Sequence, residues 1–331
     1  MDGLFSSRGM RQSWSIEMSS EEYHAGSGVY NSPSHVSLLT GVRLGLQCNL
    51  EFPHRGRICV FAVGPCSVAG DLMSDLADDL LDFPVINVSD VRVPGWVGKG
   101  TLSIVLSSAD DNVELAQVIK ALRNVGSDVV CIAPNDFMTH TSEADMVIPM
   151  PDNADSLSQV GFCIGALTSV LSEVTDNDFR DPLFEALETA EKFLGSMSKS
   201  SLDMIARGLS GKVNAFYSTS DIHACSKWWK QMFDLASNDL SFFGELPEFD
   251  HNELVGWSDP NIHAPELNMV VLKGTSESVL VDDIVHCMVE VLCENGRKVE
   301  VVNLGGKNPL ESNICGMVLG CMISDFVRGR I

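Results

Sequence analysis

Hydrophobic and polar positions along this chain follow two periodicities that replace each other at regular intervals. Short, nearly continuous apolar runs such as Arg57-Ile58-Cys59-Val60-Phe61-Ala62-Val63 end at turn residues, the pattern of a strand buried on both faces of a parallel sheet. Between them lie longer segments with apolar residues three and four apart, the spacing of a helix packed on one face. The pattern predicts strands over 57–63, 85–88, 101–106, 128–132 and 146–149. Helices are expected after the Gly64–Asp71 turn through Leu81, over 112–125 and over 156–173. A second cycle brings strands over 212–218, 240–243, 268–273 and 298–302 and helices over 223–233, 281–295 and 309–326, with Gly296 as a C-terminal cap. Strands alternating with helices at this spacing predict an α/β fold of two doubly wound, mainly parallel sheets flanked by helices.

The same pattern divides the chain into a partly helical arm over 1–50, a first α/β domain over 51–175, a helical connection over 176–210 and a second α/β domain over 211–331. The connection is polar and helical, with Glu and Lys on one face around Leu183, Leu187 and Phe193. His24 and His35, in the arm, are expected to be solvated.

Composition narrows the partners. A hydrophobic content of 45% and a charged content of 20% are those of a globular protein, which excludes general disorder. The net charge of −23 repels phosphate backbones and anionic lipid, so neither nucleic acid nor a membrane is an expected partner. A small phosphorylated ligand stays possible, because backbone N–H groups at a helix start hold phosphate locally. The first residues lack the apolar core of a signal peptide, and no window is expected to span a bilayer, which needs about 20 apolar residues. Ten cysteines without a C-x-x-C pair read as reduced packing residues of a cytoplasmic protein. His223, His263 and His286 have no metal-ligand spacing, and neither a metal nor a cofactor is expected. Of the adjacent Trp228 and Trp229, one ring is expected in the core and one at an interface.

Candidate chemistry concentrates between Phe242 and Trp257, where one imidazole, His251, lies among four carboxylates and aromatics expected to be buried. Asp250 and Glu253 also fit a capping box, with His251 riding on a helix's first turn.

Within that stretch, Leu246-Pro247-Glu248-Phe249-Asp250-His251-Asn252-Glu253-Leu254-Val255-Gly256 resembles the L-P-E-x-x-H-N-E-[IL]-x-G motif of the bifunctional phosphoglucose/phosphomannose isomerases, which carry two sugar-isomerase (SIS) domains. Gly211-Lys212-Val213, Tyr217 and Trp229-Lys230-Gln231 resemble the opening of that family's second domain. The resemblance covers roughly 55–327 and implies two SIS domains, a sugar-phosphate ligand, no cofactor, and a homodimer in which His251 opens the sugar ring from the partner subunit.

The resemblance also assigns two ligand loops. Gly64-Pro65-Cys66-Ser67-Val68-Ala69-Gly70-Asp71 matches the family's G-G-S-x-I-G-G-D, and Ser107-Ser108-Ala109-Asp110-Asp111-Asn112-Val113-Glu114 matches S-Y-S-G-N-T-E-E. Gly64, Ser67, Ser107, Ser108 and Asn112 are therefore the candidate substrate-binding residues. Pro65 removes an N–H, Cys66 is a weak donor, and Asp110 and Asp111 repel a dianion while fitting the role of helix N-cap. The family's base falls on Leu235 and its arginine on Leu157, and its C-terminal lysine has no counterpart. These departures predict a protein that binds a carbohydrate derivative, a sugar phosphate ahead of a sugar nucleotide or other small derivative, with aldose–ketose isomerase activity lost or residual, or a regulator of a true isomerase. The alternative is an active isomerase with Asp234, Glu245 or Glu248 as a rebuilt base. A further reading takes Gly64–Asp71 as a nucleotide-binding turn, although it lacks both G-x-G-x-x-G and the Walker pattern.

Overall fold

A computed structural model describes residues 34–49, 52, 56–109, 112–135, 137, 143–152, 154–237, 239–259, 267–274 and 279–329. Helix α1 (Ser34–Gly45) precedes a first set of elements: β1 (Arg57–Ala62), α2 (Ser67–Leu80), β2 (Val85–Val88), β3 (Thr101–Leu106), α3 (Val113–Asn124), β4 (Asp128–Ala133), β5 (Met146–Pro149) and α4 (Ser156–Thr175). Helices α5 (Arg180–Ser196) and α6 (Lys199–Leu209) lead to the second set: β6 (Val213–Thr219), α7 (His223–Met232), β7 (Ser241–Leu246), α8 (Glu248–Ser258), β8 (Leu267–Lys273), α9 (Val279–Glu294), β9 (Val299–Asn303) and α10 (Pro309–Val327).

The strands form two parallel sheets, ordered β2-β1-β3-β4-β5 and β7-β6-β8-β9. Alternation along each strand splits the packing. Ile58, Val60 and Ala62 of β1 and Phe216 of β6 point into one core shared by both sheets, whereas Cys59 and Phe61 of β1 and Tyr217 of β6 join separate outer cores. Helices α2, α4, α5, α7 and α10 fill the shared core; α3 covers the outer face of the first sheet, and α8 and α9 cover that of the second.

Two glycine pairs set how closely α1 approaches α4. A Cβ on Gly41 would lie 2.0 Å from the Ser158 carbonyl oxygen, and one on Gly161 or Gly165 would lie 2.1 Å from the carbonyl oxygen of Leu38 or Val42. The helices therefore touch backbone to backbone, which only a residue without a side chain allows. The start of α1 is tied to the far end of α10, where Asp325 accepts from the Ser34 backbone N–H at 2.9 Å and its hydroxyl at 2.7 Å. Helix α10 in turn receives the indole N–H groups of Trp228 and Trp229 on its Met317 and Gly316 carbonyls, at 2.9 and 2.8 Å.

Several expectations change here. Both Trp228 and Trp229 are fully buried, because each indole finds a core carbonyl to satisfy its N–H. Helices α4 and α10, of 20 and 19 residues, are long and apolar enough to cross a bilayer, contrary to the expectation that no window is; both are mostly buried as core helices. His35 is half-buried rather than solvated, and burial holds its imidazole below the usual value despite nearby Asp325. His24 and His263 lie outside the described residues.

Gly161→Val forces the α1–α4 seam apart and is expected to lower stability by about 1–3 kcal/mol or more, measured by urea denaturation. An unchanged midpoint would contradict the backbone contact.

Candidate functional site

In the first sheet β1 and β3 are neighbours, yet their chains leave toward opposite faces: α2 packs in the shared core and α3 in the outer one. Such a divergence leaves a crevice beyond the carboxyl ends of the two strands, the usual ligand position in an open parallel sheet. The turn at Gly64–Cys66 and the segment Ser107–Ala109 frame it. Four of the five predicted binding residues, Gly64, Ser67, Ser107 and Ser108, therefore converge there.

Gly64 has φ +67°, and nothing lies within 4 Å of where a Cβ would stand, so the turn borders open space. The loop hydroxyls, however, serve the loop itself. Ser67 donates to the Gly64 carbonyl at 2.7 Å, and Ser107 donates to the Ala109 carbonyl at 3.0 Å. Asn112 supplies the N-cap of α3, accepting from the Leu115 N–H at 3.0 Å. The expected cap at Asp110 or Asp111 is thus replaced by Asn112, whose amide oxygen is the one that reaches the first turn; both aspartates lie outside the described residues.

Helix α7 brings the second half to this crevice. His223, Lys227 and Gln231 follow one another at intervals of four and so share a face of α7. Lys227 Nζ lies 2.5 Å from Asp71 of α2, His223 Nδ1 lies 3.3 Å from Asp75, and Gln231 donates to the Gly64 carbonyl at 3.2 Å. Asn87 completes the cluster by donating to Asp71 at 2.6 Å. Burial opposes ionisation of Asp71, but His223, Lys227 and Asn87 together hold its carboxyl below the usual value. Burial raises the Asp75 carboxyl. Burial also disfavours His223 as a cation, yet Asp71 and Asp75 outweigh it and push the imidazole up to about 10.

One turn beyond Gln231, the π-helical segment Phe233–Ser237 carries Leu235, which is 63% exposed. Asp234 is held by Lys230 at 2.5 Å and by the Ser241 hydroxyl and backbone N–H at 2.7 and 2.9 Å, so its carboxylate staples the end of α7 to β7. Glu245 lies on β7, which extends to Leu246 rather than stopping at Phe243, and its carboxylate has no hydrogen-bond or ion-pair partner among the described residues. Glu248 accepts from the Asn252 side chain at 3.0 Å.

His251 is exposed in the first turn of α8. The capping box does not form, because α8 starts at Glu248 after Pro247, and Glu253 instead accepts the Tyr217 hydroxyl at 2.5 Å. Trp257 donates to the same hydroxyl at 3.2 Å, and Phe249 packs edge-on to the Tyr217 ring at 4.6 Å. Of the aromatics expected to be buried, Phe249 is, Trp257 is half-buried, and Phe242 and Phe243 are exposed on edge strand β7. Because α8 packs with Tyr217 and α7 with Phe216, the two helices lie on opposite faces of the second sheet. Within one chain His251 is thus separated from α7 and the crevice beside it.

A cavity of about 340 Å³ lies beside the α2–α7 contact, between α2, residues 220–221 and the start of α10. Asp75, Asp78, Asp79 and Asp221 line it without a basic residue, which disfavours a phosphate. Sequence reasoning missed the Asp71–His223–Lys227 cluster, since its members are up to 156 positions apart and no motif joins them.

Two parallel sheets flanked by helices, with a crevice at the first sheet's switch point, define the class as an open, doubly wound α/β fold. Residues 199–327 match the bacterial phospho-glucose isomerase C-terminal SIS domain. The chain is 24% identical over 213 residues to the bifunctional phosphoglucose/phosphomannose isomerase of Aquifex aeolicus, a match covering 63% of this chain and 64% of that protein, just under two thirds of its length. It is 20% identical over 259 residues to the enzyme of the same name from Caldicellulosiruptor bescii, covering 75% of this chain and 76% of that one. Among solved structures, the C-terminal domain of glucosamine-fructose-6-phosphate aminotransferase from Francisella tularensis superposes with a TM-score of 0.67 at 12% identity, over 89% of this chain and 95% of that one. At low identity the chain is thus similar to the bifunctional phosphoglucose/phosphomannose isomerases, with the family-model match lying in its second half.

Because the folded-state value of His223 lies above its ordinary 6.5, its proton stabilises the fold fully below about pH 6.5 and progressively less as pH rises through about 10. His223→Gln is expected to flatten the fall in the urea midpoint across that window. A slope equal to the wild type's would mean that the α2–α7 contact does not hold this proton.

Proposed function

We propose that this protein binds a sugar phosphate in the crevice beyond β1 and β3 and that its aldose–ketose isomerase activity is lost or residual. The observation that carries the reading is Leu235, exposed one turn past Gln231, at the position to which the family resemblance assigns the base. The neighbouring carboxylate, Asp234, is engaged by Lys230 and Ser241 and does not replace it. Loss of a general base removes about 10²–10⁴ in rate, and loss of an oxyanion-stabilising group about 10²–10³ more. In a coupled assay the purified protein is expected to convert no fructose 6-phosphate to glucose or mannose 6-phosphate, while the same sugars raise its thermal midpoint. Turnover that disappears in His251→Ala would overturn the loss of activity, and the absence of any thermal shift would overturn sugar binding.

One observation favours a second reading, an active isomerase with a rebuilt base. The carboxylate of Glu245, near the carboxyl end of β7, has no partner among the described residues, unlike those of Asp234 and Glu248. If the assay gives turnover, Glu245→Gln is the variant that separates this carboxylate from the others.

We also propose a homodimer and a cytoplasmic location. His251 is exposed and lies across the second sheet from α7, which suits a role in a partner's crevice, and all ten cysteines are free thiols. Sedimentation at micromolar concentration is expected to show twice the 35.9 kDa chain mass; a lone 35.9 kDa species contradicts the dimer.

A further inference from the structure

Two thiols lie beside the turn that frames the crevice. Cys66 is the N-cap of α2, directly after the open turn at Gly64 and Pro65, and Cys163 projects from α4 toward it. Their sulfurs are 3.4 Å apart and both residues are fully buried. A disulfide has an S–S bond of about 2.05 Å, so roughly 1.4 Å of approach within an existing contact would close one. We propose that Cys66 and Cys163 form a peroxide-reactive dithiol, an oxidative modification site beneath the ligand crevice.

The surroundings separate the roles of the two sulfurs. Cys163 donates its S–H to Cys66 at 3.4 Å, and the polar groups of Ser108 act on the same sulfur to favour its thiolate. These donors outweigh burial and hold the Cys66 thiol below the usual value, and a position at a helix N-terminus acts in the same direction. Cys163 is pushed well above its usual value, first by burial and then by Cys66 itself. Other buried thiols, such as Cys59 and Cys131, are raised to about 12 by burial. One sulfur is thus suited to attack and the other to resolve.

The chemistry balances with hydrogen peroxide as oxidant. The Cys66 thiolate attacks one peroxide oxygen, the O–O bond breaks, and the departing hydroxide takes a proton to become water. The resulting Cys66 sulfenic acid is then attacked by the Cys163 sulfur, which gives up its proton as the S–S bond forms and a second water leaves. Two electrons pass from the two sulfurs to the peroxide. Entry is by way of the turn, where Gly64 borders open space and Ser108 is only half-buried. The new bond would tether the turn that frames the crevice to α4, so the site couples thiol oxidation to the geometry of the ligand loop. None of this depends on which ligand the crevice takes.

The test treats the full-length native protein with hydrogen peroxide, blocks remaining thiols and maps a non-reducing digest by mass spectrometry. The expected result is a peptide pair joined through Cys66 and Cys163, lighter by two hydrogens than the separate thiols and released by dithiothreitol. In Cys163→Ser, dimedone is expected to label Cys66 as the stalled sulfenic acid. Because the wild-type arm needs no substitution, a poorly folded variant leaves the test intact. Oxidation confined to the exposed Cys287 and Cys293, with Cys66 and Cys163 recovered as free thiols, would overturn the proposal. So would a linkage that forms only in urea-unfolded protein.

Discussion

The ion pair between Lys227 and Asp71 is the constraint on which the candidate site depends. Both groups are largely withdrawn from water, where an unpaired charge is expensive, and removal of one partner from such a pair typically costs about 3–5 kcal/mol. Their contact joins α7 of the second half to α2 of the first. With that crossing fixed, Gln231 reaches Gly64 and the end of α7 arrives over the crevice. His223 extends the same contact toward Asp75, so the face of α7 that organises the site is polar along three turns.

The opposite side of α7 is anchored by different means. Trp228 and Trp229 lie in the shared core with their indole N–H groups on α10 carbonyls, and α10 has glycines where Cys225 and Trp229 of α7 press closest. A Cβ on Gly316 would stand 2.2 Å from Cys225 Sγ, and one on Gly320 would stand 2.9 Å from the Trp229 ring. The α1–α4 seam uses the same device. Small residues in long apolar helices thus allow close helix packing, and the two sheets end up sharing one core.

The alternation of apolar runs and helical periods disclosed the parallel sheets, because strands buried on both faces leave an unbroken apolar signature. The positions of Gly64, Ser67, Ser107 and Ser108 at neighbouring strand ends were legible for the same reason, since a βαβ order puts successive loops at one edge. What a linear pattern could not show was the direction in which each side chain spends its hydrogen bonds. Ser67 and Ser107 bond to their own loops, Glu253 turns to Tyr217 rather than to a helix cap, and Asp234 is taken by Lys230 and Ser241. Long-range partners such as Lys227 with Asp71 or Cys66 with Cys163 leave no periodic trace.

On the proposed reading the crevice takes a sugar phosphate, while Leu235 stands where the family resemblance assigns the proton-transferring group. Binding and proton transfer at carbon can be separated directly by proton NMR of glucose 6-phosphate with the protein in deuterium oxide. Isomerisation through an enediol replaces the hydrogen on C2 with deuterium, whereas binding alone transfers saturation from protein to sugar and leaves that hydrogen in place. The account predicts saturation transfer with an undiminished C2 proton signal. Progressive loss of that signal, abolished by His251→Ala, would contradict it.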